Sequence, residues 1–288
     1  MRNICIALSV LVASVCLAGA QTVPAAIFTD PPADAKHPAH SVVLHIPSHG
    51  VQINGLLYAP AGAGAHPTFM LCHGLPGNEK NLDLAQAVRR AGWNAVTFNY
   101  RGSWGGPGNF RFAQNLEDAT AVLAYLRDPA NAARLGVDPS RIVLAGHSMG
   151  GWVTAITASR DHALLGAILL SAADFGLIAQ APRDKVVALM ADNRETLVGV
   201  TPESMADEVI THAREFGLSG AAEGLSHLPL LVLSADDGLA PQTDALIEEI
   251  HALGGKQVTA LHVATDHLWS DRRIYLETTV LNWLAALK

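Results

Sequence analysis

The chain is 288 residues long and carries a formal net charge of −7, from 19 Lys and Arg against 26 Asp and Glu. It has no basic cluster, so nucleic acid is not an expected partner. Its 13 histidines are scattered without CxxC or HExxH spacing, so no metal site is expected either, and its length suits one large domain.

Residues 1–20, MRNICIALSVLVASVCLAGA, place Arg2 ahead of an apolar stretch and end on Ala18-Gly19-Ala20. This is the pattern of a secretory signal peptide cut after Ala20, which implies a secreted or periplasmic protein with no stable membrane anchor after cleavage. Cys5 and Cys16 leave with the signal, so the mature chain keeps Cys72 alone and can form no internal disulfide. Residues 21–40 are rich in Pro and Ala and are expected to form an extended arm.

From residue 41 onward strand and helix patterns alternate. SVVLHIP and VQINGLLYAP read as a hairpin around His49-Gly50, and TFMLCH as a buried strand. EKNLDLAQAVRRAG follows as a helix with Leu82, Leu84, Ala85 and Val88 on one side. WNAVTFNY is the next strand, and AQNLEDATAVLAYLRD a helix ended by Pro129. RIVLAGH, MGGWVTAITAS and LLGAILLS then read as strand, helix and strand.

Residues 172 to about 225 interrupt the alternation with mostly helical patterns and a start signal at Thr201-Pro202-Glu203-Ser204, as expected of a small helical cap. HLPLLVLS, a helix from about Gln242 to Leu253, QVTALHV and a helix from about Asp271 to Leu287 complete the chain. Such alternation implies an α/β domain: a mostly parallel twisted sheet with helices on both faces and its active groups at the carboxyl ends of the strands.

RIVLAGHSMGGWVTAI delivers a serine between a buried strand and an apolar helix, and a tight turn there leaves its side chain projecting above the sheet. Gly146-His147-Ser148-Met149-Gly150 is therefore a candidate nucleophile elbow. A serine hydroxyl needs a base to take its proton, and the base needs an anion behind it. Ala235-Asp236-Asp237-Gly238 supplies an acid after one later strand, and Thr265-Asp266-His267 a histidine after the last. On order alone, either aspartate qualifies as the acid.

The chain resembles the α/β-hydrolase superfamily over nearly all of residues 42–288. HGLPGN, FNYRGSWGGPGNF, GHSMGG, SADDGLAP and TDHLWSDRR are similar to motifs of secreted esterases and of the catalytic domain of the prolyl oligopeptidase group of serine peptidases. The resemblance implies a triad of Ser148, His267 and Asp237, since that family's aspartate stands four residues before the proline of its loop, here Pro241. It also implies an oxyanion hole from the backbone N–H groups of Leu75 and Met149, and no metal or organic cofactor. His73 and His147 are expected to support loops rather than carry protons.

The glycine-rich loop YRGSWGGPGNF looks mobile and lies where the family keeps substrate, which makes Trp104, Tyr100 and Phe110 candidate substrate-binding residues. Phe112 is divided between that role and packing against the following helix. Trp152 is expected in the core, and Trp269 either lines the leaving-group side or braces the histidine loop. The expected reaction is cleavage of a carboxylic ester, in a small molecule, through an acyl-enzyme. A serine peptidase acting on short peptides is the alternative, with a perhydrolase and a non-catalytic binder behind it. No site for a peptide amine or carboxylate is legible: Arg183, Arg194 and Glu195 read as a solvated helix face.

Overall fold

A computed structural model describes residues 22–287, and the expected signal peptide, 1–20, lies outside the described residues. In chain order the elements are β1 (His40–Ser48), β2 (Val51–Ala59), β3 (His66–Cys72), α1 (Leu82–Arg90), β4 (Asn94–Phe98), α2 (Phe112–Arg127), α3 (Pro129–Leu135) and β5 (Val137–His147). They continue with α4 (Met149–Ala158), β6 (Gly166–Leu170), α5 (Phe175–Ile178), α6 (Arg183–Ala191), α7 (Pro202–Thr211), α8 (Ala222–Leu225), β7 (Leu230–Ala235), α9 (Ala240–Ala252), β8 (Val258–Val263) and α10 (Arg273–Ala286).

The eight strands form one sheet in the order β1-β2-β4-β3-β5-β6-β7-β8. The β1–β2 hairpin and the β2–β4 pair are antiparallel, and from β4 to β8 every pairing is parallel. The central strands read as unbroken apolar runs because both of their faces are covered. Phe69, Leu71, Val143, Ile168 and Leu231 point toward α1 and α10, while Met70, Ile142, Leu144, Leu169 and Val232 pack on the other side with α2, α4 and α9. The side-chain period of two sorts each strand between the two cores.

Several boundaries depart from the sequence reading. Pro129 does end α2, but it also opens α3: its missing N–H costs nothing in a first turn, and Asp128 caps that turn by accepting from Asn131 N–H at 3.0 Å. Leu82 begins α1 with its side chain exposed, while Leu84, Ala85 and Val88 are buried. Between β6 and β7 the chain runs through α5 to α8, and α7 starts with a reciprocal capping box between Thr201 and Ser204. In the arm, a single 3-10 turn at Ala25–Ile27 is held by Arg90, which donates to the Ala26 and Ile27 carbonyls.

Two arrangements fix the roof of the sheet. Asp118 of α2, fully buried, accepts from the Arg101 backbone N–H at 2.8 Å and from Arg101 Nε at 2.7 Å, anchoring the loop after β4. The helical segment after β6 is tied down by an aromatic cluster in which Trp152, Phe175 and Phe216 meet edge-on at about 5 Å. The Trp152 indole N–H also donates to the Phe216 carbonyl at 2.8 Å, satisfying the one polar atom of a ring otherwise buried in the core.

Candidate active site

β5 ends at His147 and α4 begins at Met149, leaving Ser148 as the whole of the turn, with φ 57° and ψ −119°. A non-glycine residue at positive φ is strained, and here its backbone is over-determined. Ser148 N–H donates to Leu170 O at 2.9 Å, while its carbonyl accepts from the N–H groups of Gly151, Trp152 and Ala173. The flanking glycines are required by close approach: a Cβ on Gly146 would stand 2.0 Å from Gly150 O, and one on Gly150 would stand 2.0 Å from Cys72 O. The turn fits because two backbones come nearly into contact.

His267, on the loop after β8, has Nδ1 at 2.8 Å from Asp237 Oδ2 on the loop after β7. The carboxylate side chain is 4% exposed and the imidazole 35%, so the acid is closed in and the base opens toward solvent. Burial pushes the Asp237 carboxyl up, but hydrogen bonds from His267, the Leu239 N–H and the Ser171 hydroxyl outweigh it and hold the group below the usual carboxylate range. Asp237 is thus kept charged behind the imidazole. Asp236 turns away to solvent, where it pairs with His262 Nε2 at 2.8 Å.

Ser148 is half-buried, and its Oγ has no hydrogen bond among the described residues. The base loop reaches the elbow through its backbone: His147 Nε2 donates to His267 O at 2.7 Å, and the two rings lie 4.6 Å apart. Serine–histidine contacts commonly tighten only when substrate is bound.

The loop after β3 lies against the elbow, since a Cβ on Gly74 would stand 3.2 Å from Ser148 Cβ. This sets Leu75 beside the serine, and its peptide to Pro76 is cis. Met149, as the first residue of α4, has an amide with no helical acceptor behind it, and the Leu75 N–H donates to no described residue. Both histidines of this region, His73 and His147, are buried. His73 Nδ1 donates to Gly74 O at 2.8 Å, and burial lowers its pKa to about 4. Burial, reinforced by the neighbouring His267, likewise brings His147 to about 4.

The substrate loop needs correction. Tyr100 and Phe110 are fully buried and present no surface to a ligand. Tyr100 packs on His73 and Phe98 with centroids 4.6 and 5.1 Å away, and Phe110 meets Phe112 edge-on at 5.2 Å. The loop is also stitched to the segment after β6 by hydrogen bonds from Trp104 N–H to Thr196 O, Val198 N–H to Gly102 O and Phe110 N–H to Val198 O. Pinning on both sides turns its aromatics inward. Trp104 alone of the three stays open, 38% exposed at φ 50°, with its indole N–H on Pro76 O at 2.7 Å and the Lys80 ammonium 4.5 Å from its ring.

Two residues not singled out from the sequence belong to this site. Ser171, at the end of β6 with φ 42°, accepts from Trp269 Nε1 at 3.1 Å and donates to Asp237, so Trp269 is a buried brace of the acid and base loops. Arg273, in the first turn of α10, holds Asp83 with two nitrogens while Nη1 reaches Asn81 Oδ1 at 3.0 Å and Leu268 O at 3.1 Å. A cation opposes the dipole at a helix start, and that unfavourable placement was the one signal in the sequence that Arg273 answers to something else. In the cap, Arg183 pairs with Asp207 at the surface, and Glu195 accepts from Asn78 Nδ2 at 3.0 Å.

Residues 69–281 match the model of the Alpha/beta hydrolase family, and the chain belongs to that family. The fold is shared with the acylaminoacyl peptidase of Pyrococcus horikoshii, at a TM-score of 0.67 and 17% identity over 86% of this chain and 42% of that one. It is shared too with an esterase of Rhizomucor miehei, at 0.65 and 17% over 91% and 86%. In sequence the chain is 32% identical over 127 residues to the quorum-quenching protein AidA of Acinetobacter baumannii, a match spanning 42% of this chain and 40% of that protein.

Proposed function

We propose that the protein is a serine hydrolase that cleaves a carboxylic ester through an acyl-enzyme on Ser148. The observation that carries this reading is the closed Asp237 carboxylate on His267 Nδ1, beside a serine held at positive φ on a strand-to-helix turn. With Nδ1 engaged, His267 Nε2 is the free nitrogen. It takes the Ser148 proton as Oγ bonds to the substrate carbonyl carbon, and the oxyanion that forms accepts from the Leu75 and Met149 N–H groups, each such donor being worth ~3 kcal/mol. His267 then gives the proton to the departing alkoxide as the ester C–O bond breaks. Water repeats the cycle on the acyl-enzyme, releasing the acid and restoring Ser148.

Membership of the family supports a hydrolase. Between β6 and β7, Arg183 is engaged with Asp207 and Glu195 with Asn78 of the loop after β3, so neither is free to hold a peptide terminus. Trp104, exposed and with its indole N–H on Pro76 O beside the loop after β3, is the candidate to meet an acyl or aryl group. The leader-like residues 1–20 support a secreted or periplasmic location, which N-terminal mass analysis of the mature protein tests. The function is tested by initial rates on p-nitrophenyl esters of graded chain length and on aminoacyl p-nitroanilides, with Ser148→Ala as control. Ester turnover that vanishes in the variant supports the reading; comparable anilide cleavage replaces it with a peptidase, and ester turnover untouched by Ser148→Ala ends it.

A further inference from the structure

The N–H of Leu75 belongs to the peptide group that carries the Gly74 carbonyl, and a planar trans peptide points its N–H and its C=O in opposite directions. The bond from His73 Nδ1 to Gly74 O, at 2.8 Å, therefore also bears on the direction of the Leu75 N–H. One such contact leaves the peptide plane free to swing about it. A second attachment follows two residues on.

Pro76 is buried, and its carbonyl accepts from Trp104 Nε1 at 2.7 Å and from Thr196 Oγ1 at 3.2 Å, so both of its lone pairs are taken. Between the two attached carbonyls only the Leu75 dihedrals and the ψ of Pro76 are soft, because the pyrrolidine ring locks its φ. The two donors come from different segments. Trp104 stands on the loop after β4, and the half-buried Thr196 stands between α6 and α7. They are joined to each other as well: Trp104 N–H donates to Thr196 O at 3.1 Å, and Ser103 and Leu197 form an antiparallel bridge beside them. Gly77, at φ 95°, makes room for the indole, since a Cβ there would stand 2.9 Å from Trp104 Nε1.

We propose that Thr196 and Trp104 are positioning residues for the oxyanion hole, holding the Leu75 N–H on target through the Pro76 carbonyl. The proposal rests on the reading of Ser148 as the nucleophile of an ester hydrolase. An oxyanion donor gains its value only as charge develops on the substrate oxygen, so its aim governs kcat and not the binding of the ester. Trp104 does this with the edge of its indole, which makes the role separate from any contact of its ring with substrate. Thr196 acts without touching the reacting atoms, and through it the segment between β6 and β7 takes part in the chemistry.

The test compares the full chain with Thr196→Val, Thr196→Ser and Trp104→Phe in kcat and KM on p-nitrophenyl butyrate. The same proteins are titrated with an aryl trifluoromethyl ketone, whose adduct with a serine carries its oxyanion where the ester intermediate does. Thr196→Val should lower kcat about three- to tenfold and Trp104→Phe about tenfold, each with KM within about twofold of the parent. The Ki of the ketone should rise by the factor by which kcat/KM falls. Thr196→Ser keeps the hydroxyl and should return kcat to within about twofold of the parent. Melting temperatures taken alongside separate loss of aim from loss of fold, and Thr196→Ala is a second variant without the hydroxyl if valine disturbs the segment. The proposal is overturned if a well-folded Thr196→Val or Trp104→Phe keeps the parent's kcat, if serine does not restore what valine removes, or if kcat falls while the ketone Ki stays put. Those outcomes on an enzyme that needs Ser148 overturn this proposal alone, whereas parent-like turnover in Ser148→Ala overturns the hydrolase reading and this proposal with it.

Discussion

The indole N–H of Trp269 donates to the hydroxyl oxygen of Ser171 at 3.1 Å, which leaves the Ser171 proton for Asp237. The direction of one hydroxyl is thus set by a ring two residues beyond His267. Because the bond is to a charged acceptor, its loss is expected to matter by about 1.5–3 kcal/mol. Ser171→Ala should lower kcat on a p-nitrophenyl ester by about tenfold or more with little change in KM, and Trp269→Phe, which keeps the ring and removes the donor, should fall between it and the parent. Equal loss from Ser171→Ala and Asp237→Asn would show that more than one hydrogen bond had been removed. The aspartate variant itself is expected to lose about 10^4-fold, because the imidazole would no longer be held in its working tautomer.

Arg273 bridges the two loops that flank the serine, through Leu268 O on one and Asn81 on the other. Arg273→Gln should release both and lower kcat by ten- to a hundredfold, within the range expected when a positioning contact fails. Arg273→Lys keeps the charge without the fork and should recover only part of that loss. Full rescue by lysine would mean that charge alone was needed.

Stability should depend on pH through groups of opposite sign. His73 and His147 are neutral when folded, with pKa values of about 4, below the value near 6.5 they regain on unfolding. Their contribution is complete above about pH 6.5 and is lost as pH falls toward 4, each by up to about 3 kcal/mol. The urea midpoint should accordingly drop between pH 7 and pH 4.5.

Glu277 works the other way. Burial, reinforced by the Asp83 carboxylate, raises it to about 7, so its contribution is complete at low pH and is lost as pH rises through 7. Glu277→Gln removes the charge that α10 must otherwise accommodate, and should raise Tm more at pH 8 than at pH 5. The same gain at both values would mean that Glu277 titrates as an ordinary surface carboxyl.

Gly150→Ala tests the elbow without touching a functional group. Its Cβ would meet Cys72 O at 2.0 Å, so β3 and α4 would have to separate. A cost of about 2–4 kcal/mol and loss of ester turnover are expected, read by thermal melting and initial rates.

The order of strands and helices and the elbow were legible in the sequence because each rests on local signals: apolar period, glycine spacing and a serine where neither element wants one. The choice of Asp237 over Asp236 needed resemblance, since two adjacent aspartates look alike until one of them turns toward His267. Tyr100 and Phe110 were misread because a glycine-rich loop looks mobile when its partner is invisible, and that partner, residues 196–198, lies some 90 positions away in the chain. Ser171 and Arg273 went unseen for the same reason: their meaning lies in what they touch across the fold. Pro129 shows the reverse error, a local signal taken only as a stop when it is equally good as a start.

His147 leaves the nucleophile strand and grips the carbonyl of His267. The end of β5 and the loop after β8 are thereby mounted on a common strut, so that a displacement of the final loop carries the backbone beside Ser148 with it.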